Sequence, residues 1–174
     1  SMDLAAEFPA NLKAYVEEIR AAGAKPVLVT PLTRRQFKDG KLIDDLGPWA
    51  EATRKVAAET ATPLVDLHAD SYAAVQAMGA AEATRFAQRP PPAHVLEAAR
   101  TGTTIAASTS ASGTVGTPVA AATAQNNAAV EPMGQAKLSF DYTHLGEAGA
   151  DYFATLVTAD LAKAVPALRR FLIP

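Results

Sequence analysis

The chain has 174 residues, 16 Lys and Arg against 18 Asp and Glu, a net charge of −2 and a hydrophobic fraction of 49% that alanine inflates. That length holds one domain with one core, and a near-neutral charge with no basic stripe excludes nucleic acid and anionic membrane as partners. The absence of cysteine excludes disulfides, zinc-thiolate sites and thiol nucleophiles, and the apolar stretches are broken within about 10–15 residues, short of the ~20 a membrane helix needs.

Leu12, Tyr15, Val16 and Ile19 recur at helical spacing with charged residues between them, and Gly23 is placed to end the run, so Pro9–Ala22 is expected to be an amphipathic helix. Lys25–Thr30 is a short apolar run with the consecutive pattern of a strand covered on both faces. Pro31–Gly47 is polar and reads as a loop leaving the carboxyl end of that strand. Pro48 opens a second helix with a face of Trp49, Ala52, Val56 and Ala57, ended by Thr60-Ala61-Thr62-Pro63. Leu64–Leu67 is a second buried strand. His68–Met78 and Ala80–Ala87 follow as helical pieces separated by Gly79.

From Gln88 the character changes. Pro90-Pro91-Pro92 breaks helix, Ala93–Arg100 has the length of one or two helical turns, and Thr101–Asn127 has no sustained period, which favours a flexible excursion over a β-arm. The segment 88–137 thus reads as an Ala/Thr/Ser-rich insertion. Lys137–Phe140 leads to a turn, after which Ala148, Tyr152, Phe153, Leu156, Val157 and Leu161 mark the face of a helix over Gly146–Leu161, with Pro166 bending or ending it.

The order of elements implies an α/β fold, three layers α/β/α around a parallel sheet. Such sheets normally have about five strands or more, so this chain is expected to hold only part of one. The remaining strands would come from a second copy, by pairing or strand swapping, or from sequence upstream of Asp3.

The turn carries the chemistry. Asp141-Tyr142-Thr143-His144-Leu145 pairs a carboxylate with an imidazole three residues on, the two groups that deprotonate a nucleophile in serine hydrolases. Asp141 is equally suited to cap the following helix. Arg34 and Arg35 leave the carboxyl end of a strand, where open α/β sheets bind ligands. They are weaker candidates for substrate binding, gripping a ligand carboxylate, and pairing with Asp39, Asp44 or Asp45 is the favoured alternative. His68 and His94 lack a second ligand at metal spacing and read as surface or capping residues. Asp66, in a buried-type strand, is expected to bond neighbouring backbone. No metal or organic cofactor is implied.

Asn11-Leu12 through Gly23–Thr30 to Pro31-Leu32-Thr33-Arg34-Arg35, then Pro63–Leu67, then Asp141–Leu145 with Gly149-Ala150, resemble the SGNH (GDSL-type) hydrolases, within them the rhamnogalacturonan acetylesterase-like carbohydrate esterases. The resemblance covers roughly residues 8–87 and 138–165 and is to the carboxyl-terminal half of that fold. It implies a flavodoxin-like α/β/α sheet, His144 as general base, Asp141 as the carboxylate that orients it, an acetylated polysaccharide or other ester as substrate, and a secreted or periplasmic location. It also implies a nucleophilic serine in a Gly-Asp-Ser turn and a Gly and an Asn that complete the oxyanion hole. No Gly-Asp-Ser occurs here. Asn11 lies in an expected helix and Asn126-Asn127 in the excursion, neither a fitting context for an oxyanion donor. The chain alone is therefore expected to be inactive. The rival reading is a non-catalytic binding or scaffold module completed by dimerisation.

Overall fold

A computed structural model describes residues 3–102 and 140–172. Residues 103–139, which hold most of the expected insertion with Ser108, Ser110, Ser112 and Asn126-Asn127, lie outside the described residues.

Helix α1 (Glu7–Ala21) ends where Gly23 donates its N–H to the Arg20 carbonyl and Ala24 to that of Ile19. Strand β1 (Leu28–Val29) follows, then α2 (Gly47–Glu59), β4 (Leu64–Val65) and α3 (Leu67–Ala83). β1 and β4 pair in parallel, Leu28 opposite Leu64 and Val29 opposite Val65. Among the described residues this two-stranded sheet is the parallel element, which makes the architecture a mixed helical fold of α/β type.

Two expectations about this half need correction. Pro31–Gly47 is not only loop: β2 (Phe37–Lys38) and β3 (Lys41–Leu42) form an antiparallel hairpin. Its turn is Asp39-Gly40, whose φ angles of 50° and 73° place both residues in the left-handed region, as a two-residue hairpin matched to the right-handed twist of its strands requires. The hairpin is tied to α3, where Gln76 Oε1 accepts from Leu42 N–H at 2.8 Å and Tyr72 donates to the Leu42 carbonyl at 3.1 Å. On α1, Val16 is buried, but Tyr15 and Ile19 are exposed, so the expected apolar face is only partly covered. On α2, Ala50 and Thr53 are buried with Val56 and Ala57, while Trp49 packs its ring edge-on against Phe8.

Helix α3 is broken at Gly79, whose φ of 79° and ψ of 169° leave the helical region. A short 3₁₀ segment, Thr84–Phe86, closes it, and Ala93–Thr101 forms α4. Helix α5 (Glu147–Ala164) and the 3₁₀ segment Pro166–Phe171 complete the described chain. No described helix is long and apolar enough to cross a membrane.

The core that carries the carboxyl-terminal part consists of Leu42, Val75, Ala83 and Phe153, with Leu32, Phe37, Tyr72, Phe86, Leu145 and Tyr152 packed against it. Helix α5 approaches the 3₁₀ segment closely at Gly149. A Cβ there would sit 2.7 Å from the Phe86 carbonyl oxygen and 2.8 Å from Phe86 Cβ. Neither atom is the free end of a flexible chain, so Gly149→Ala is expected to destabilise the fold by about 1–3 kcal/mol through overpacking. A wild-type urea midpoint in that variant would contradict the close approach.

Asp66 is half-buried, and its expected neighbours were backbone groups. It does accept from Ala69 N–H at 3.4 Å as the cap of α3, but its main partner is Arg54. Arg54 forks onto both oxygens, Nε to Oδ2 at 2.8 Å and Nη2 to Oδ1 at 3.0 Å, and Thr30 Oγ1 donates to Oδ1 at 3.0 Å. The Arg54 hydrogen bond, against the effect of burial and with help from Thr30, holds the Asp66 carboxyl below its usual range. A depressed carboxyl contributes stability that is present above the ordinary range and is lost as pH falls through the lowered value. Both side chains are about a third exposed, so Asp66→Asn is expected to cost only about 0.5–1 kcal/mol at neutral pH. The gap between variant and wild type closes below about pH 4. Denaturant midpoints against pH read this, and a gap that widens in acid would contradict it.

Candidate active site

Asp141 and His144 lie in the turn between Phe140 and α5. Asp141 Oδ1 accepts from the backbone N–H groups of Thr143 and His144, both at 2.7 Å, which folds the segment back on its own carboxylate. The other oxygen, Oδ2, is 2.9 Å from His144 Nδ1. One carboxylate oxygen thus shapes the backbone and the other orients the ring. With Asp141 ionised, Nδ1 carries the proton and Nε2 keeps its lone pair. The His144 side chain is 69% exposed, so the imidazole is open to a reacting group.

Burial pushes the Asp141 carboxyl up, but the hydrogen bonds from the His144 N–H, the His144 ring and the Thr143 N–H outweigh it and hold the group below its usual range. It is therefore ionised at neutral pH. Helix α5 begins at Glu147 with Gly146 as its cap and no side-chain cap. Asp141 does not cap that helix, so the capping alternative is set aside.

Two elements hold the turn in place. On one side Leu145 bridges Ala87, and Gly146 N–H donates to the Phe86 carbonyl at 2.8 Å. On the other, Arg35 N–H donates to the Tyr142 carbonyl at 3.0 Å. The Arg35 side chain is buried, 2% exposed, and points at the inner face of the turn. Its Nη2 donates to the carbonyls of His144 at 2.8 Å and Asp141 at 3.3 Å, and Nη1 to that of Thr143 at 3.4 Å. Burial lowers the Arg35 pKa from its ordinary value, opposed by the charge of Asp141. Arg34 turns outward instead and pairs with Asp45 at 2.5 Å. The structure thus brings Arg35 to Asp141 and His144 and directs Arg34 elsewhere.

Among the described residues the one serine is Ser71. It is fully buried, accepts from Thr33 N–H at 3.1 Å and lies 3.4 Å from the His68 carbonyl to which it donates. A hydroxyl so enclosed cannot meet a substrate. His68 was read as a surface or capping residue and is instead 5% exposed. Its Nε2 lies 3.0 Å from Asp44 Oδ1 in a contact that lacks hydrogen-bond alignment. Leu67, His68, Ser71 and Val75 are all buried at helical spacing on α3. That periodicity was the signal for an inward histidine.

Over part of its length the chain is similar to two proteins of Bacillus subtilis (strain 168). With the probable rhamnogalacturonan acetylesterase YesY it is 36% identical over 62 residues, 36% of this chain and 29% of that protein. With the rhamnogalacturonan acetylesterase RhgT it is 33% identical over 80 residues, 45% of this chain and 34% of that protein. The chain spans about a third of the length of these curated relatives. No family model matches, and neither does a solved structure. The relationship is to esterases of a polysaccharide, at low identity and over part of each chain.

Proposed function

We propose that this chain carries the base half of an SGNH-type carbohydrate esterase, part of a three-layer α/β/α module whose complete form removes acetyl groups from a plant cell-wall polysaccharide. The observation that carries the reading is the 2.9 Å contact between His144 Nδ1 and Asp141 Oδ2 on an exposed imidazole. The partial similarity to two named acetylesterases supports the substrate class.

In this mechanism a serine Oγ supplied by polypeptide outside this sequence attacks the acetyl carbonyl while His144 Nε2 takes its proton. The imidazolium, steadied by Asp141, returns that proton to the sugar oxygen as the ester bond breaks. Water then attacks the acetyl-serine, again giving its proton to Nε2, and acetate leaves with the serine restored. No step needs a metal or an organic cofactor.

Without a Gly-Asp-Ser turn, the pure 174-residue chain is expected to hydrolyse an aryl acetate no faster than buffer. Turnover that a serine-directed organophosphorus reagent abolishes would show that the nucleophile lies within the chain. The second reading, a non-catalytic module completed by dimerisation, has one observation in its favour: Val29 of the short parallel sheet is 48% exposed. Sedimentation of the chain distinguishes the two, since a stable inactive dimer supports the second.

A further inference from the structure

Arg35 is 2% exposed, yet among the described residues its guanidinium makes no hydrogen bond or ion pair with a carboxylate side chain. Its terminal nitrogens are spent on three main-chain carbonyls of one turn, those of Asp141, Thr143 and His144, and its Nε is left without a partner. Three carbonyl dipoles converging on one point repel each other unless a cation with several donors stands between them. A planar fork of five N–H groups meets that requirement in a fixed geometry, whereas the three donors of lysine sit on one compact, rotating ammonium.

The backbone that presents Arg35 is itself fixed. Thr33 N–H donates to the buried Ser71 Oγ at 3.1 Å, Arg35 N–H donates to Tyr142 at 3.0 Å, and the Gln36 carbonyl accepts from Ile43 N–H at 2.9 Å. The guanidinium therefore reaches the turn from a rigid base. With the carbonyls drawn inward, the N–H groups of Thr143 and His144 face the Asp141 carboxylate, which is the arrangement that leaves Oδ2 for the ring.

We propose that Arg35 is the positioning residue of the Asp141–His144 pair: by gripping the three carbonyls it holds the turn in the one shape that keeps His144 in its Nδ1–H tautomer. Arg35 touches no reacting atom and acts through the turn. The proposal rests on the esterase reading for its purpose, but its test does not depend on turnover.

The test is the tautomer of His144, read from the ring ¹⁵N shifts of the labelled chain above the imidazole's titration range. Wild type is expected to show Nδ1–H. Arg35→Met, which keeps the stem but loses the fork, is expected to lose that signature and shift toward the Nε2–H form that free imidazole side chains favour, with helix content by circular dichroism unchanged. Arg35→Lys keeps charge and stem and is expected to lose it as well. If Arg35→Met does not fold, Arg35→Lys is the deciding variant. A folded variant that keeps the Nδ1–H tautomer overturns the proposal, and so does unfolding of both variants, which would make Arg35 a folding residue. An unmoved ring in a folded variant leaves the esterase reading standing. A complete protein without esterase activity leaves the positioning result standing.

Discussion

In the proposed esterase, Asp141→Asn is expected to lower kcat about 10⁴-fold while the fold persists. The carboxamide oxygen can still accept from the Thr143 and His144 N–H groups, each 2.7 Å from Oδ1, so the turn survives. What changes is the other arm. An amide NH₂ in place of Oδ2, 2.9 Å from Nδ1, donates to the ring and drives the proton to Nε2. A ring protonated at Nε2 cannot accept the proton of a serine. His144→Ala removes the base outright and is expected to cost up to about 10⁶-fold. Steady-state kinetics on an aryl acetate, with circular dichroism as the control for folding, check both. A kcat within tenfold of wild type in either variant would contradict the assigned roles.

The largest expected loss of stability comes from Phe153→Ala. Phe153 is 3% exposed and meets Phe86 edge-on, ring centroids 5.6 Å apart, with Tyr152 stacked on Phe86 at 5.0 Å. Deleting a buried phenyl group removes its transfer free energy and leaves a cavity that rigid neighbours only partly fill, about 3–5 kcal/mol. A domain's whole stability is commonly about 5–15 kcal/mol, so much of it is at stake. The site would feel the loss, because the Phe86 carbonyl accepts the Gly146 N–H that anchors the Asp141–Leu145 turn at 2.8 Å. Urea unfolding measures the effect, and a change below 1 kcal/mol would contradict the core as described.

Much of the helical framework could be read from the sequence, because Leu12–Val16, Val56-Ala57 and Phe153–Val157 repeat at 3.6 residues and Gly23 and Gly79 interrupt helix visibly. The parallel pairing of Leu28-Val29 with Leu64-Val65 followed from two apolar runs each preceded by a helix. The hairpin was hidden because its strands are two residues each, too short for alternation to appear, although Asp39-Gly40 is a strong turn signal. The contact between Asp141 and His144 was legible because the partners are close in sequence. Arg35 was not, since its bonds to Asp141, Thr143 and His144 span more than a hundred positions. An arginine at the carboxyl end of a strand looks the same in sequence whether it faces a ligand or the back of a turn such as Asp141–Leu145. The buried His68 was missed for the reason that two polar positions, His68 and Ser71, interrupt the apolar face on which they lie.

The most direct test of the central claim is the rate of acetate release from an acetylated pectic polysaccharide by the complete gene product, compared with its His144→Ala variant under the same conditions. Acetate release that His144→Ala abolishes is the predicted result and assigns His144 to the base half of an esterase. A complete protein that releases no acetate, or a His144→Ala variant that releases it at the wild-type rate, would contradict the account.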